Sequence, residues 1–212
     1  MIIAIDGPAG AGKSTVSRAL ATRLGLEHLD TGAMYRAVTF GVLERGVDPS
    51  AMVEVADAAE SIEIVIAGER VTVDGVDATT QIRGRDVTTA VSAVAANPMV
   101  RELLVGRQRS WVAERGGGVV EGRDITTVVL PDADLKLFVT ASPRVRAQRR
   151  VAETGGDVEQ IEASIVERDR RDATREASPM TIAGDAVVVD TSELGIDEVV
   201  DRVLDMIGKP SL

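Results

Sequence analysis

Close to the amino terminus lies Gly7-Pro8-Ala9-Gly10-Ala11-Gly12-Lys13-Ser14, and no other stretch restricts the fold so tightly. It satisfies G-x-x-x-x-G-K-[ST], a loop whose glycines let successive backbone N–H groups turn toward one anion. Such a loop works where a strand feeds it and a helix leaves it, because the helix N-terminus adds partial positive charge. Both flanks are present: Met1 to Ile5 reads as a short buried strand, and Val16, Leu20 and Leu24 recur at helical spacing over Ser14 to Leu24. Gly7 through Thr15 is therefore expected to cradle the phosphates of a nucleotide. Lys13 would reach the terminal phosphates, and Ser14 would bond them or help place Mg²⁺. A glycine-rich structural turn is the competing explanation, but such a turn has no use for the lysine.

The rhythm set by this unit continues along the chain. Short apolar runs at Leu26 to Asp30, Gly118 to Glu121, Leu135 to Thr140 and Ala186 to Asp190 read as further strands. Helices are expected at Ala33 to Glu44, Ala51 to Glu60, Asn97 to Ala113, Pro143 to Glu153, Glu159 to Arg175 and Ile196 to Ile207. This alternation predicts an α/β fold, a parallel sheet with helices on both faces. One segment breaks it: Ile62, Ile64 and Ile66 alternate along the chain, Gly68 to Arg70 turns, and Val71 and Val73 resume the alternation. That hairpin marks an inserted subdomain at about residues 55–95 within a single domain. The core is then expected at 1–54, 96–148 and 176–212.

Composition narrows the chemistry. There is no cysteine and one histidine, His28, which removes thiol chemistry, makes Ser-His catalysis a poor expectation and suits a reducing compartment. His28, between a helix and a strand, is expected to be structural. No apolar run approaches the ~18 residues a membrane helix needs, and Met1 to Asp6 lacks a basic leader, so a cytoplasmic protein away from membranes is expected; a monomer is expected as well. The formal net charge of −10 argues against nucleic acid as the partner. Yet 21 of the 24 basic residues are arginines, and 13 of those lie between Arg101 and Arg175, a concentration suited to clamping a small anion.

Within that stretch, Arg168, Asp172 and Arg175 stand at i, i+4 and i+7, so one helix face can offer two donors and one acceptor to a ligand. A solvated face with internal ion pairs is the alternative. Arg149-Arg150 precede Thr154-Gly155-Gly156, glycines that would let a lid swing guanidinium groups over a transferring phosphoryl. A basic helix end capped by glycine would look the same. A guanine-reading N-K-x-D motif is missing, since Asn97 is the only asparagine.

Read together with the phosphate loop, four stretches carry a resemblance: Asp30-Thr31-Gly32-Ala33-Met34-Tyr35-Arg36, Glu121-Gly122-Arg123-Asp124, Arg149-Arg150, and Arg168 through Arg175. In this order and spacing the chain closely resembles the bacterial cytidylate kinases, from Ile3 to about Val189. The resemblance implies a five-stranded parallel sheet, an inserted monophosphate-binding subdomain and a mobile lid, here about 149–175. It also implies ATP as donor, and CMP or dCMP as acceptor. Thr31, Tyr35, Arg36 and Arg123 would surround the acceptor phosphate, and Ser92, Arg101 and Asp124 would face the cytosine. Arg168, Asp172 and Arg175 would lie near ribose and phosphates. Chemistry agrees at Asp124, because a carboxylate accepts from the N4 amino group of cytosine and repels the oxygen that uracil puts there. The acceptor phosphate is already anionic, so no general base is needed and catalysis reduces to alignment and charge neutralisation by Lys13, Mg²⁺, Arg123, Arg149 and Arg150. The chain departs from the family at Glu121 for a frequent Asp, Thr126 for a frequent Gly, and Ala173 for a commoner polar residue; a side chain at 126 is expected to crowd any close backbone approach to a ligand. The rival readings are a small kinase acting on UMP, another monophosphate or shikimate, and a slow nucleotide-dependent switch.

Overall fold

The computed structural model describes residues 1–207, so positions 208–212 of the expected core segment lie outside the described residues. The first of two compact units comprises residues 1–29 and those from 112 onward. It contains β1 (Ile2–Asp6), α1 (Lys13–Leu24), β2 (His28–Asp30, whose last residue opens the second unit), β6 (Gly118–Gly122), β7 (Leu135–Thr140), α6 (Pro143–Thr154), α7 (Val158–Thr174), β8 (Val187–Asp190) and α8 (Ile196–Ile207). Its sheet has five strands in the order β2-β6-β1-β7-β8. Strand β1 sits at the centre, parallel to β6 with Ile5 opposite Glu121, and parallel to β7 with Ile5 opposite Leu137. Central parallel strands are covered on both faces, which is why they read as unbroken apolar runs. Ile3, Ile5, Val119, Leu137 and Val139 form one cluster with Val16 and Leu20 of α1 and Val199, Val200 and Val203 of α8. Each such aliphatic side chain contributes about 2 kcal/mol of burial energy.

The second unit, Asp30–Trp111, is wider than the segment 55–95 picked out by the hairpin. It holds α2 (Thr31–Glu44), α3 (Met52–Ser61), β3 (Ile64–Ala67), β4 (Arg70–Val73), β5 (Val76–Asp77), α4 (Arg85–Ala96) and most of α5 (Pro98–Arg115). Helix α2 is the reason for the added width, because it packs on α3, α4 and β4. The expected hairpin gains a third strand through Asp74-Gly75, whose φ angles of 50° and 78° suit a two-residue turn between Val73 and Val76. Helix α4, not foreseen, buries Val87, Val91 and Val94 at i, i+4 and i+7.

In the first unit, the loops that leave β1, β6 and β8 emerge at carboxyl ends of parallel strands, and the strand order reverses about β1, with β6 and β2 on one side and β7 and β8 on the other. That is the position at which open α/β sheets bind ligands. Gly7, the first residue beyond β1, fixes how closely the loop passes β7. Its φ is +145°, and a Cβ there would lie 1.9 Å from the carbonyl oxygen of Val139. Gly7→Ala must displace backbone in the central strand pair, and we expect it to lower the unfolding free energy by about 3 kcal/mol. The shift of the urea midpoint at constant slope measures this, and an unshifted midpoint would contradict the contact.

Candidate active site

The loop between β1 and α1 is braced from several sides. The Lys13 ammonium folds back and donates to the Pro8 carbonyl at 2.9 Å. Gly12, at φ +87°, stands in the N-cap position of α1, where no side chain caps the helix among the described residues. The first N–H groups of α1 are thus left for an anion. Arg146, buried, donates to the Ala9 carbonyl at 3.2 Å and the Ala141 carbonyl at 2.9 Å, and pairs with Asp169 at 2.7 Å. Arg149 donates to the Thr191 hydroxyl at 3.0 Å and carbonyl at 2.6 Å, and that hydroxyl donates to the Ala11 carbonyl at 3.0 Å. Arg149 therefore buttresses the loop through Thr191. Arg150 lies at the surface with Glu153 3.7 Å away. Thr15, in the first turn of α1, is exposed.

Beside the loop is a buried carboxylate. Glu121, near the end of β6, accepts from the Ser14 hydroxyl on one oxygen and lies 2.9 Å from His28 Nε2 on the other. Burial pushes its pKa up, but the His28 hydrogen bond, the charges of Lys13 and His28, and the Ser14 hydroxyl outweigh this and hold it below the usual carboxylate value. Among the described residues no group of three or more His, Cys, Asp or Glu could hold a metal unaided. A hydroxyl backed by one carboxylate still fits Mg²⁺, which takes few protein oxygens and completes its shell with water and substrate phosphates.

The end of β1 also governs the loop after β6. Asp6, fully buried, accepts from the backbone N–H groups of Ile125 and Thr126, both at 2.8 Å, and from the Thr126 hydroxyl at 2.7 Å. Burial raises its pKa despite these three donors, with a smaller push from Asp124. The clamped segment is a π-type turn, Ile125–Val129, in which the N–H groups of Val129 and Leu130 reach Asp124 and Ile125. The Thr126 side chain points into the protein, its hydroxyl donating to Asp6.

Asp124, held at the start of this turn, pairs with Arg175 at 3.3 Å, and Arg123 pairs with Asp172 at 3.0 Å. Arg175 also donates to the Ser178 carbonyl at 2.6 Å. Arg168 is different: among the described residues its buried Nε has no hydrogen-bond partner. Burial lowers its pKa, repulsion from Arg123 and Arg150 adds to this, and Asp172 and Asp169 oppose it.

In the second unit the expected residues fall on three helices. Thr31 opens α2 behind the Asp30 cap, whose carboxylate accepts from Ala33 N at 3.0 Å. Arg36 donates to Thr88 Oγ1 at 3.0 Å and to the Ile82 carbonyl at 3.2 Å. Ser92, half-buried, lies one turn beyond Thr88 on the same face of α4. Arg101, buried on α5, stacks over the Tyr35 ring with its guanidinium carbon 5.6 Å from the centroid, and donates to the Ala95 carbonyl at 3.3 Å.

A sequence model described as cytidylate kinase matches residues 3–209. The chain belongs to the cytidylate kinase family. Its relatives include the cytidylate kinases of Rhodococcus opacus, 52% identical and covering 100% of this chain and 96% of that protein, and of Mycobacterium leprae, 45% identical and covering 100% and 97%. That of Rhodococcus jostii is 50% identical, covering 96% and 93%. Solved structures share the fold alone. A gluconokinase from Sinorhizobium meliloti has a TM-score of 0.51 at 16% identity, with 96% of this chain and 89% of that one covered. A shikimate kinase from Acinetobacter baumannii has a TM-score of 0.50 at 16% identity, with 97% and 91% covered. Among the described residues no helix is long and apolar enough to cross a membrane.

Sequence reasoning left Asp6, Arg146, Thr191 and Thr88 unassigned in this cytidylate kinase family member, gave His28 a structural role, and noted Glu121 within a family motif without assigning it a part in the site. Arg146 could have been found, since it precedes Arg149 and Arg150 at i, i+3 and i+4. The Thr126 hydroxyl allows a direct test. Thr126→Val keeps the shape but removes one donor to Asp6, and we expect a loss of about 1 kcal/mol at pH 7. Because Asp6 has a raised pKa, its contribution is full below its ordinary value and is lost as pH rises through the raised one. The variant raises that value further, so in urea titrations the deficit should grow as pH rises above the ordinary aspartate value of 3.8; a deficit that shrank would contradict the clamp.

Proposed function

We propose that this chain transfers the γ-phosphoryl group of ATP to CMP and dCMP, giving CDP and dCDP by in-line displacement. Its family makes it a nucleoside monophosphate kinase, a phosphotransferase, with ATP as donor. The observation that carries the acceptor side is Arg168. A buried guanidinium with an unpartnered Nε, crowded by Arg123 and Arg150, is short of negative charge, and a phosphate supplies it.

On the donor side, we assign the phosphates to the backbone N–H groups of Gly7 to Gly12 with Ser14 and Thr15. Lys13 leaves the Pro8 carbonyl for the terminal phosphates. Ser14, backed by Glu121, would hold Mg²⁺, which when bound offsets charge on the donor's phosphates. Arg149 is assigned to the γ-phosphoryl as it transfers, with Arg150 as its lid neighbour in the segment 149–175. In the second unit, Thr31, Tyr35 and Arg36 are assigned to the acceptor phosphate, and Ser92 and Arg101 to the base. In the first unit, Arg123 takes acceptor phosphate, Arg168, Asp172 and Arg175 take ribose and phosphate, and Asp124 takes the cytosine amino group. The acceptor oxygen attacks as an anion, so none of these residues must remove a proton. The absence of cysteine supports a cytoplasmic setting, and we assign the chain as a monomer.

The assay is release of ADP from ATP with Mg²⁺, offering CMP, dCMP, UMP, AMP, GMP and shikimate separately. CMP and dCMP should give the highest kcat/KM; hydrolysis independent of acceptor, or a preference for shikimate, would overturn the reading. Asp124→Asn should narrow the preference for CMP over UMP by roughly tenfold or more, because one hydrogen-bond partner of the base changes sign. An unchanged ratio would remove Asp124 from base recognition.

A further inference from the structure

The chain's one histidine lies where a structural role was expected, and its contact gives it a further part. His28, on β2, lies with Nε2 2.9 Å from Glu121 Oε1, while the other carboxylate oxygen takes the Ser14 hydroxyl at 2.9 Å. An ionised carboxylate only accepts, so Nε2 carries the hydrogen in this contact. The two side chains are 17% and 3% exposed, so water cannot readily replace either partner.

We propose that His28 is a positioning residue for the magnesium-bound nucleotide, acting through Glu121 on Ser14. Glutamate has one more rotatable bond than aspartate, so its carboxylate has one more way to turn. His28 holds one oxygen, and this fixes the other, which Ser14 meets. With its proton engaged by Glu121, the Ser14 hydroxyl keeps its lone pairs for a cation. The three side chains stand on β2, β6 and α1, so the contact joins a strand, its neighbour and the start of the phosphate-loop helix. A histidine needed only for packing could have used any backbone carbonyl; this one uses the carboxylate that also serves the loop hydroxyl. Residues that orient metal-site groups from behind typically change metal affinity by ten- to a hundredfold when removed.

The proposal rests on the loop being the ATP site, and the experiment separates the two. ADP binding to the full chain is measured calorimetrically, with Mg²⁺ and again with EDTA, for the parent protein, His28→Leu and His28→Gln. His28→Leu should weaken ADP binding about tenfold in Mg²⁺ and leave it within about twofold in EDTA, with CMP affinity unchanged. His28→Gln, whose amide N–H can occupy the place of Nε2, should recover most of the loss and guards against a Leu variant that folds poorly. Equal weakening with and without Mg²⁺, no weakening, or a Gln variant as impaired as Leu would overturn the role of His28 alone. A parent protein whose ADP binding does not respond to Mg²⁺ would overturn both the role and the reading of the loop beneath it.

Discussion

Asp6 and Gly7 stand side by side where the central strand ends, and the loops of the first unit are set from there. Gly7 passes so close to the Val139 carbonyl that only a residue without a side chain fits, which sends the chain straight into the phosphate loop. One residue earlier, Asp6 turns inward and gathers three donors from Ile125 and Thr126. Burying a carboxylate is costly, as its raised pKa records, and the three hydrogen bonds are what make the burial tolerable. The outcome is that the loop after β1 and the Arg123-Asp124 segment after β6 are referred to a single point in the sheet.

The protein carries a formal net charge of −10 and still gathers guanidinium groups in its interior. It holds most of them in defined pairs: Arg123 with Asp172, Arg175 with Asp124, Arg146 with Asp169. Buried pairs of this kind add little net stability, since desolvation consumes most of the Coulomb energy. Their value is orientation, because a guanidinium already fixed in place loses little freedom when an anion arrives. Arg168 departs from this arrangement, its buried Nε being without a hydrogen-bond partner among the described residues.

Much of the fold was legible in the sequence, and the parts that were not share a cause. Strands β1, β6 and β7 and helices α1, α2, α5 and α6 follow from apolar spacing and punctuation, since those signals are local. Helix α4 was missed because Thr88 and Thr89 are β-branched and lower helix propensity, although Val87, Val91 and Val94 keep the period. Strand β5 was missed with the Asp74-Gly75 turn in plain view. The site divides in the same way. The loop from Gly7 to Ser14 is a contiguous motif and can be read directly. The contacts of Asp6 with Thr126 and of His28 with Glu121 join residues 120 and 93 positions apart, and only the folded sheet brings them together. Arg149 was legible as a basic residue near glycines, but its bonds to Thr191, on the loop after β8, were not.

The central claim is that the first loop exists to manage phosphate charge and that the lysine within it serves turnover far more than stability. Lys13→Ala tests this most directly, with steady-state turnover of ATP and CMP measured beside the urea midpoint of the same preparation. The account predicts a fall in kcat on the order of a hundredfold or more with a midpoint close to the parent's. A folded variant that turns over at nearly the parent rate would contradict it.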